Sequence, residues 1–545
     1  MKKVLIVGSG IAGLSCAVSC AEKGMDVTLV SPFPSERTQS VLAAGGINAV
    51  VGQHEKGDSI FCHIEDTLNG GCHLAGEIAV KGLCESASDI VKWLEKLGVV
   101  FTTEVDGSIG KRAFGGQTYK RTCYCGASTG KQIVTAMVME ARRFENMGRI
   151  HRRLRMNFHS ALIHDGACYG AVFYNEATGL PEAILSDSVI IATGGQNALF
   201  GKTTGSTQCD GYVAGKLFTQ GVELKNLEFI QYHPTAIETA QKMMLISEAA
   251  RGEGGRLYYE ENGLRVYFME ERYGKRGNLM PRDVVSGCIE ESGKAVFLDV
   301  SFLGEETISK KLPEVYELCK KYRGIDISKE PIPIRPAVHF FMGGIAVKNN
   351  HETNIKNLYA IGECASIYHG ANRLGGNSLL AAIYGGKVAA SSIEKNETIG
   401  ENIMDWSETM AEVSVKMYAL KGSKSLYPVK YIRDMLAETM RDHLGIVRSE
   451  EKLQKGIDDV SFYLSVADKI KYDASESPYF GYSLAAILTL AKATLLCAQS
   501  RKESRGAHHR SDYPTANDDC QAATIIAYDN GGYRTYLDTE GKYEN

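Results

Sequence analysis

The sequence predicts an α/β protein: a discontinuous domain built on a parallel sheet, an α+β cap inserted into it, a helical domain and a small C-terminal unit. Three observations carry this. The chain opens on a strand, a glycine turn, a helix and a second strand. Two later apolar strands end on similar glycine turns, and a long stretch toward the C-terminus places apolar residues at helical spacing.

The opening reads as a strand from Val4 to Val7, a helix to about Lys23 and a strand from Val27 to Val30, a βαβ beginning. The segments SVIIATGG (Ser188 to Gly195) and NLYAIGE (Asn357 to Glu363) are further buried strands. One sheet can hold all of these, so residues 1–223 and 338–395 are assigned to one discontinuous domain, with 224–337 as the inserted cap. Between Asn402 and Gln499, MAEVSVKMYAL and YSLAAILTLAKATLL have apolar residues three and four apart, giving a helical domain over 396–504. The polar, turn-rich remainder, 505–545, is the C-terminal unit. A chain of 545 residues is too long for one core, and a ligand held between domains is expected.

Apolar residues make up 44% and charged residues 23%, which does not indicate disorder. A net charge of -4 offers no general attraction to nucleic acid or to an anionic membrane, so any anion must be held by a local site. The 14 cysteines are scattered and read as reduced thiols; the one close pair, Cys123 and Cys125, reads as buried. Neither a zinc nor an iron-sulfur ligand pattern is present, so no metal site is expected and electrons must be supplied from elsewhere. The first twenty residues share the charged, apolar and small-residue order of a signal peptide, but the glycine fingerprint and the strand DVTLV behind it favour the βαβ reading. No stretch is expected to reach the ~20 apolar residues of a membrane span.

GSGIAG (Gly8 to Gly13) is a GxGxxG at a strand-to-helix turn, where backbone can approach a pyrophosphate at a helix N-terminus. This marks a Rossmann-type domain. Ser31 stands where an acidic residue would hold an NAD ribose, which weakens an NAD assignment. AAGGINAV (Ala43 to Val50) offers small residues for a flat ring to lie against, while ATGG and AIGE end strands beside the same crevice. Each glycine pair alone is most simply a tight turn; together they favour FAD.

GSGIAG, AAGGI, FGGQT (Phe114 to Thr118), QYHPT (Gln231 to Thr235), SEAARGEGG (Ser247 to Gly255), PRDVV (Pro281 to Val285), RPAVHFFMGGI (Arg335 to Ile345), GANRLGGNSLL (Gly370 to Leu380) and ESRGAHHRSDYP (Glu503 to Pro514) occur in order along the chain. This set resembles the succinate dehydrogenase, fumarate reductase and L-aspartate oxidase flavoprotein family, closest to a fumarate reductase flavoprotein. The resemblance implies a fumarate site with one carboxylate on His339 and Arg373 and the other on His233 and Ser247, with Phe114 packed nearby. It implies that Arg282 is the proton donor, resupplied through Glu248 and Arg251. FAD is expected to meet Gly8, Gly10, Ala12, Gly13 and Ser31 at the first motif, and Ser40, Ala44, Gly45 and Gly46 at the second. Ala192, Thr193, Gly194, Asp210, Glu363, Asn377, Ser378 and Leu379 complete the expected FAD contacts.

The residue types suit these roles. A dianion leaving water needs paired charges and several donors. An arginine acid is unusual, because guanidinium is normally permanently charged, and it requires a relay that restores the proton at once. Taken singly, Arg282 beside Asp283 reads as a structural ion pair, and His233 and His339 as core histidines.

Two departures from the family pattern matter, and a third position separates members of the family. Gln39 stands where membrane-bound members carry a flavin-linked histidine, so FAD is expected to be non-covalent; His54, His63 and His73 nearby are expected to face solvent or a loop. Phe341 replaces a threonine and puts the substrate fit in question, leaving a urocanate or cinnamate open. Phe114 stands where L-aspartate oxidase carries a glutamate, which favours a dicarboxylate without an amino group. By resemblance, a separate iron-sulfur subunit is the expected partner. The expected location is the cytoplasm, or the inner face of the membrane through that partner.

Overall fold

The computed structural model describes residues 1–52, 55–126, 128–396, 405–421, 427–471 and 477–543. Its central sheet has five parallel strands in the order Leu358–Ala360, Ser188–Ile191, Lys3–Val7, Asp26–Ser31 and Ile150–Leu154. Lys3–Val7, Ser188–Ile191 and Leu358–Ala360 carry almost unbroken apolar runs because both faces are covered, whereas the edge strand Ile150–Leu154 reads IHRRL and is largely open to solvent. The helix Ile11–Glu22 lies against Thr129–Asn146 and Asn377–Lys395, and eleven consecutive residues of it, Ile11 to Ala21, are buried. The N-terminal segment is therefore the centre of the fold.

Between these strands the chain builds a second, six-stranded antiparallel sheet in the order Met243–Leu245, Ile230–Glu238, Ile332–Phe341, Val296–Asp299, Arg256–Glu261 and Leu264–Val266. The helix Arg282–Ser292 packs on the strand Ile230–Glu238 and buries Val285 and Ile289 in a core of its own. The strand Ile332–Phe341 runs through residue 337, the expected end of the cap. Leu224–Lys225, at its expected beginning, pairs instead with Gly344–Ala346 and with the C-terminal hairpin Thr524–Asp529 and Gly532–Leu537.

Helices Ser407–Lys421, Val429–His443, Glu450–Val466 and Pro478–Ser500 form the helical part; expected positions 402–404 lie outside the described residues. Ser449 and Ser477 cap two of them by accepting backbone N–H groups, and Pro478 occupies a first-turn position that needs no donor. Contrary to expectation, one stretch does reach membrane-span length: Pro478–Ser500 has 23 residues and a mean hydropathy of 1.6. The reason is burial, since 72% of that apolar window is inside the protein, and a helix surrounded by neighbours is apolar on all sides. All fourteen cysteines are free, and Cys123 and Cys125 are buried as expected.

Candidate functional site

A single cavity of about 940 Å³ runs from the first glycine turn to the six-stranded sheet. Its floor needs glycine. A Cβ at Gly8 would meet the Ala192 carbonyl oxygen at 2.3 Å, and one at Gly362 would meet the Ala12 Cβ at 2.7 Å. One at Gly45 would meet the Phe114 ring at 3.0 Å. Three sequence-distant segments thus close on one another with no room for side chains. Gly10 and Gly376 directly precede the helices Ile11–Glu22 and Asn377–Lys395, and both line the cavity, so two helix N-termini face it. The Ile11 N–H donates to Ser40 Oγ at 3.1 Å, which holds the second loop against the first.

Gly8, Gly10, Ala12, Ser31, Ser40, Ala44, Gly45 and Gly46 line this space, as do Ala192, Thr193, Gly194, Asp210, Glu363, Ser378 and Leu379. Two expected contacts do not. Gly13 packs the first helix onto the turn, where a Cβ would lie 1.9 Å from the Gly8 carbonyl oxygen. Asn377 points back into the protein, accepting from Asn48 Nδ2 at 2.8 Å and donating to Thr67 Oγ1 at 2.9 Å. Asp210 lines the cavity while both of its oxygens accept from the Tyr479 hydroxyl, at 2.9 and 2.8 Å. The narrow floor, paired helix N-termini and apolar walls fit a long, flat cofactor with a pyrophosphate such as FAD.

Gln39 also lines the cavity, and its Oε1 accepts from the Ser206 N–H at 2.6 Å. His63, expected at a surface, is fully buried, with Nε2 3.0 Å from Asn377 Oδ1; burial, with Arg121 adding to it, drives its pKa down to about 4. Its helix folds inward because Ser59 caps it and Asp66, one turn on, pairs with Arg121. His73 is exposed, and His54 lies outside the described residues.

The other end of the cavity is polar. Phe114, His233, Ser247, Glu248, Arg282, His339 and Arg373 all line it. Arg282 Nη2 lies 2.6 Å from Glu248 Oε2, and Arg251 Nη2 lies 3.0 Å from Glu248 Oε1, so one carboxylate joins two guanidiniums. Arg251 stands behind the wall, donating from Nη1 to the Asn278 carbonyl at 2.6 Å. The partner of Arg282 is thus Glu248 and not its neighbour Asp283, which accepts from Asn372 Nδ2 at 2.7 Å. Burial would raise the Glu248 pKa, but Arg282 and Arg251 overcome it and hold the carboxyl at about 2.

The rings of His233 and His339 stand edge to face with centroids 5.2 Å apart, and Thr204 Oγ1 lies 2.8 Å from His339 Nδ1. Burial, and then the charge of Arg282, push both pKa values well below the ordinary histidine value, so both imidazoles are neutral. Arg373 is fully enclosed, is pushed well below the usual arginine value by burial and by Arg282, and leaves Nε without a hydrogen-bond partner. Glu363, the other nearby carboxyl, is raised by burial to about 7. Three buried guanidiniums therefore face one firmly ionised carboxylate, a surplus of positive charge that an anion would neutralise.

Gln231 belongs to the QYHPT segment but has no role predicted from sequence. Its Oε1 accepts from Arg282 Nη1 at 2.8 Å and from Arg373 Nη2 at 2.9 Å, tying together two like charges. Phe341 does not line the cavity. Its ring packs on Phe200 with centroids 5.9 Å apart, in space left by the missing side chain of Gly195, and Phe340 takes the wall position beneath Arg373.

Residues 3–379 match the FAD binding domain family and residues 433–540 match the fumarate reductase flavoprotein C-terminal family. The chain is 37% identical over 549 residues to the succinate dehydrogenase flavoprotein subunit of Bacillus subtilis, covering 96% of this chain and 93% of that one. It is 32% identical over 550 residues to the fumarate reductase flavoprotein subunit of Haemophilus influenzae, covering 94% of this chain and 90% of that one. Its fold superposes on the E. coli quinol fumarate reductase FrdA with a TM-score of 0.90 at 30% identity, covering 98% of this chain and 97% of that one. The chain belongs to the FAD-dependent succinate dehydrogenase and fumarate reductase flavoprotein family of oxidoreductases.

Proposed function

We propose that this protein reduces fumarate to succinate, with Arg282 as the proton donor. The observation that carries the reading is the buried set Arg251, Glu248, Arg282 and Arg373, whose surplus positive charge opens on the cavity. A dicarboxylate supplies the two missing negative charges, and its ends are within the province of two groups of donors, His233 with Ser247 and His339 with Arg373. Bound FAD supplies the two-electron chemistry of hydride transfer.

The chain's own residues supply the proton. Arg282 loses one as the substrate carbon accepts it, and a neutral guanidine beside Glu248 is reprotonated through the contact that joins them. Arg251, on the other oxygen of Glu248, continues that path away from the cavity. Because His233 and His339 are neutral and buried, they serve as hydrogen-bonding groups and leave acid chemistry to Arg282. Filling of the cavity by FAD and substrate would expel water from this end, which strengthens each of these charge interactions.

Phe341 is off the cavity wall, which removes the sequence-based reason for a bulkier enoate. Phe114 on the wall offers no carboxylate for a substrate amine, which favours fumarate over L-aspartate. In this reading FAD is held without a covalent link, a separate iron-sulfur subunit supplies electrons, and the protein works in the cytoplasm or at the membrane's inner face. Relatives that bear the name flavoprotein subunit support the expectation of a partner. The test is a panel of fumarate, succinate, L-aspartate, urocanate and cinnamate with an artificial electron donor or acceptor: fumarate should turn over fastest, and preference for any other member would overturn the reading.

A further inference from the structure

Asp283 follows Arg282 in sequence, yet its carboxylate faces away from it and meets an amide. Asn372 Nδ2 donates to Asp283 Oδ1 at 2.7 Å. The same amide's Oδ1 accepts from Gln231 Nε2 at 2.7 Å and from the Arg373 N–H at 3.0 Å. Gln231 Nε2 also donates to the Arg373 carbonyl at 2.8 Å, and Gln231 Oε1 accepts from Arg282 and Arg373 at 2.8 and 2.9 Å.

Every link in this chain has a direction. A carboxylate offers only acceptors, so it draws the NH₂ end of Asn372 toward itself. The oxygen of Asn372 then must face Gln231, which draws out the NH₂ end of Gln231 and leaves its oxygen between the two guanidiniums. Turned over, Asn372 would set donor against donor at Gln231 and at the Arg373 N–H, and a turned Gln231 would set its NH₂ against two cations. Buried amides in that state lose partners they cannot recover from water. Asp283 and Arg282 start the helix Arg282–Ser292 and Gln231 lies on the strand Ile230–Glu238, while Asn372 and Arg373 precede the helix Asn377–Lys395. The chain of bonds therefore joins the six-stranded sheet unit to the glycine-rich floor.

We infer that Asp283 and Asn372 are positioning residues: by fixing the direction of the Gln231 amide they hold Arg282 and Arg373 at the spacing that receives the substrate. The inference rests on the reading of this cavity as a dicarboxylate site. Neither residue lines the cavity; Asp283 acts through Asn372, and Asn372 acts through Gln231 and through its bond from the Arg373 N–H.

The experiment uses FAD-loaded protein and two readouts, succinate binding to the oxidised enzyme followed by flavin absorbance, and fumarate turnover with a viologen donor. Asn372→Leu and Asp283→Leu should each weaken succinate binding by about tenfold or more and lower turnover at least as much. Asp283→Asn can still present an oxygen to Asn372, so it should lose far less than Asp283→Leu; equal losses would mean that charge alone matters and would overturn the relay. In a Gln231→Leu background the further loss from Asn372→Leu should shrink to the part carried by the Arg373 N–H, and a full additive loss would overturn action through Gln231. A crystal structure of the Asn372→Leu holoenzyme should show Gln231 turned and the two guanidiniums displaced; unchanged positions would overturn the inference whatever the substrate. Wild-type enzyme that binds no succinate, together with displaced arginines in that variant, would sink the dicarboxylate reading and leave the relay standing.

Discussion

The Arg282 guanidinium donates twice to one oxygen of Glu248, from Nε at 3.1 Å and from Nη2 at 2.6 Å, while Nη1 turns to Gln231 at 2.8 Å. Its Nε/Nη2 edge is held by Glu248 and Nη1 by Gln231, which fixes the plane it presents to the cavity and leaves two of its five N–H groups for a ligand.

Arg282→Ala should lower kcat for fumarate by about 10³ or more, because acid and local charge are lost together, with FAD content unchanged. Arg282→Lys restores a charge without the fork and should recover little. Steady-state kinetics with bound FAD quantified checks both, and near-normal turnover in Arg282→Ala would remove the assigned role.

Glu248→Gln should lower kcat by about 10²–10⁴ and destabilise the protein by about 3–5 kcal/mol, since it leaves the two buried guanidiniums of Arg251 and Arg282 without their shared anion. The pH dependence has a definite sign. The folded pKa of about 2 lies below the ordinary 4.5, so the carboxylate stabilises the fold above about pH 4.5, and that contribution is lost as pH falls toward 2. Denaturation curves of wild type and variant should therefore converge through that window; a constant difference across it would contradict the ion pair.

Phe114 lines the cavity with no charge to offer an ammonium group. Reduced enzyme should be reoxidised by fumarate much faster than oxidised enzyme is reduced by L-aspartate, as stopped-flow flavin absorbance would show. Faster aspartate turnover would reverse the substrate assignment.

Gln39 lines the cavity with its amide oxygen on the Ser206 N–H, and an amide has no ring nitrogen to attack a flavin methyl group. FAD should leave intact on acid or heat denaturation, and fumarate reduction should outrun succinate oxidation at matched driving force. Flavin mass or fluorescence remaining on the denatured chain would refute the first expectation, and the reverse rate order the second.

The strands and glycine turns were legible because they are local patterns: apolar runs such as Val4 to Val7 and Ser188 to Ile191 can only be covered on both faces. The meeting of Glu248 with Arg282 was legible only through resemblance, since nothing local in SEAARGEGG or PRDVV says that the two segments touch. Gln231 escaped notice because a glutamine carries no charge or periodicity to single it out, and its importance comes from two partners remote in sequence. Motif membership gives neighbourhood and no more: Gly13 packs its backbone against the Gly8 turn, and the helical position of Asn377 turns its amide to Asn48 and Thr67. Phe341 packs on Phe200 in the room left by Gly195, a meeting of residues remote in sequence that no local pattern announces.

The central sheet sets a timetable for the nascent chain. Lys3–Val7 is synthesised first, but its two neighbours are Asp26–Ser31 and Ser188–Ile191, and the edge beyond them is Leu358–Ala360. At about 5–20 residues per second, roughly 20–70 s separate the first strand from the last. Pairings this distant form slowly, and the apolar strands and the helix Ile11–Glu22 wait meanwhile without their cover. The floor of the flavin cavity contains Gly8 and Gly362, so it cannot exist until that interval ends. Cofactor capture is consequently an event late in synthesis or after it, and the early half of the chain is the part most in need of a chaperone.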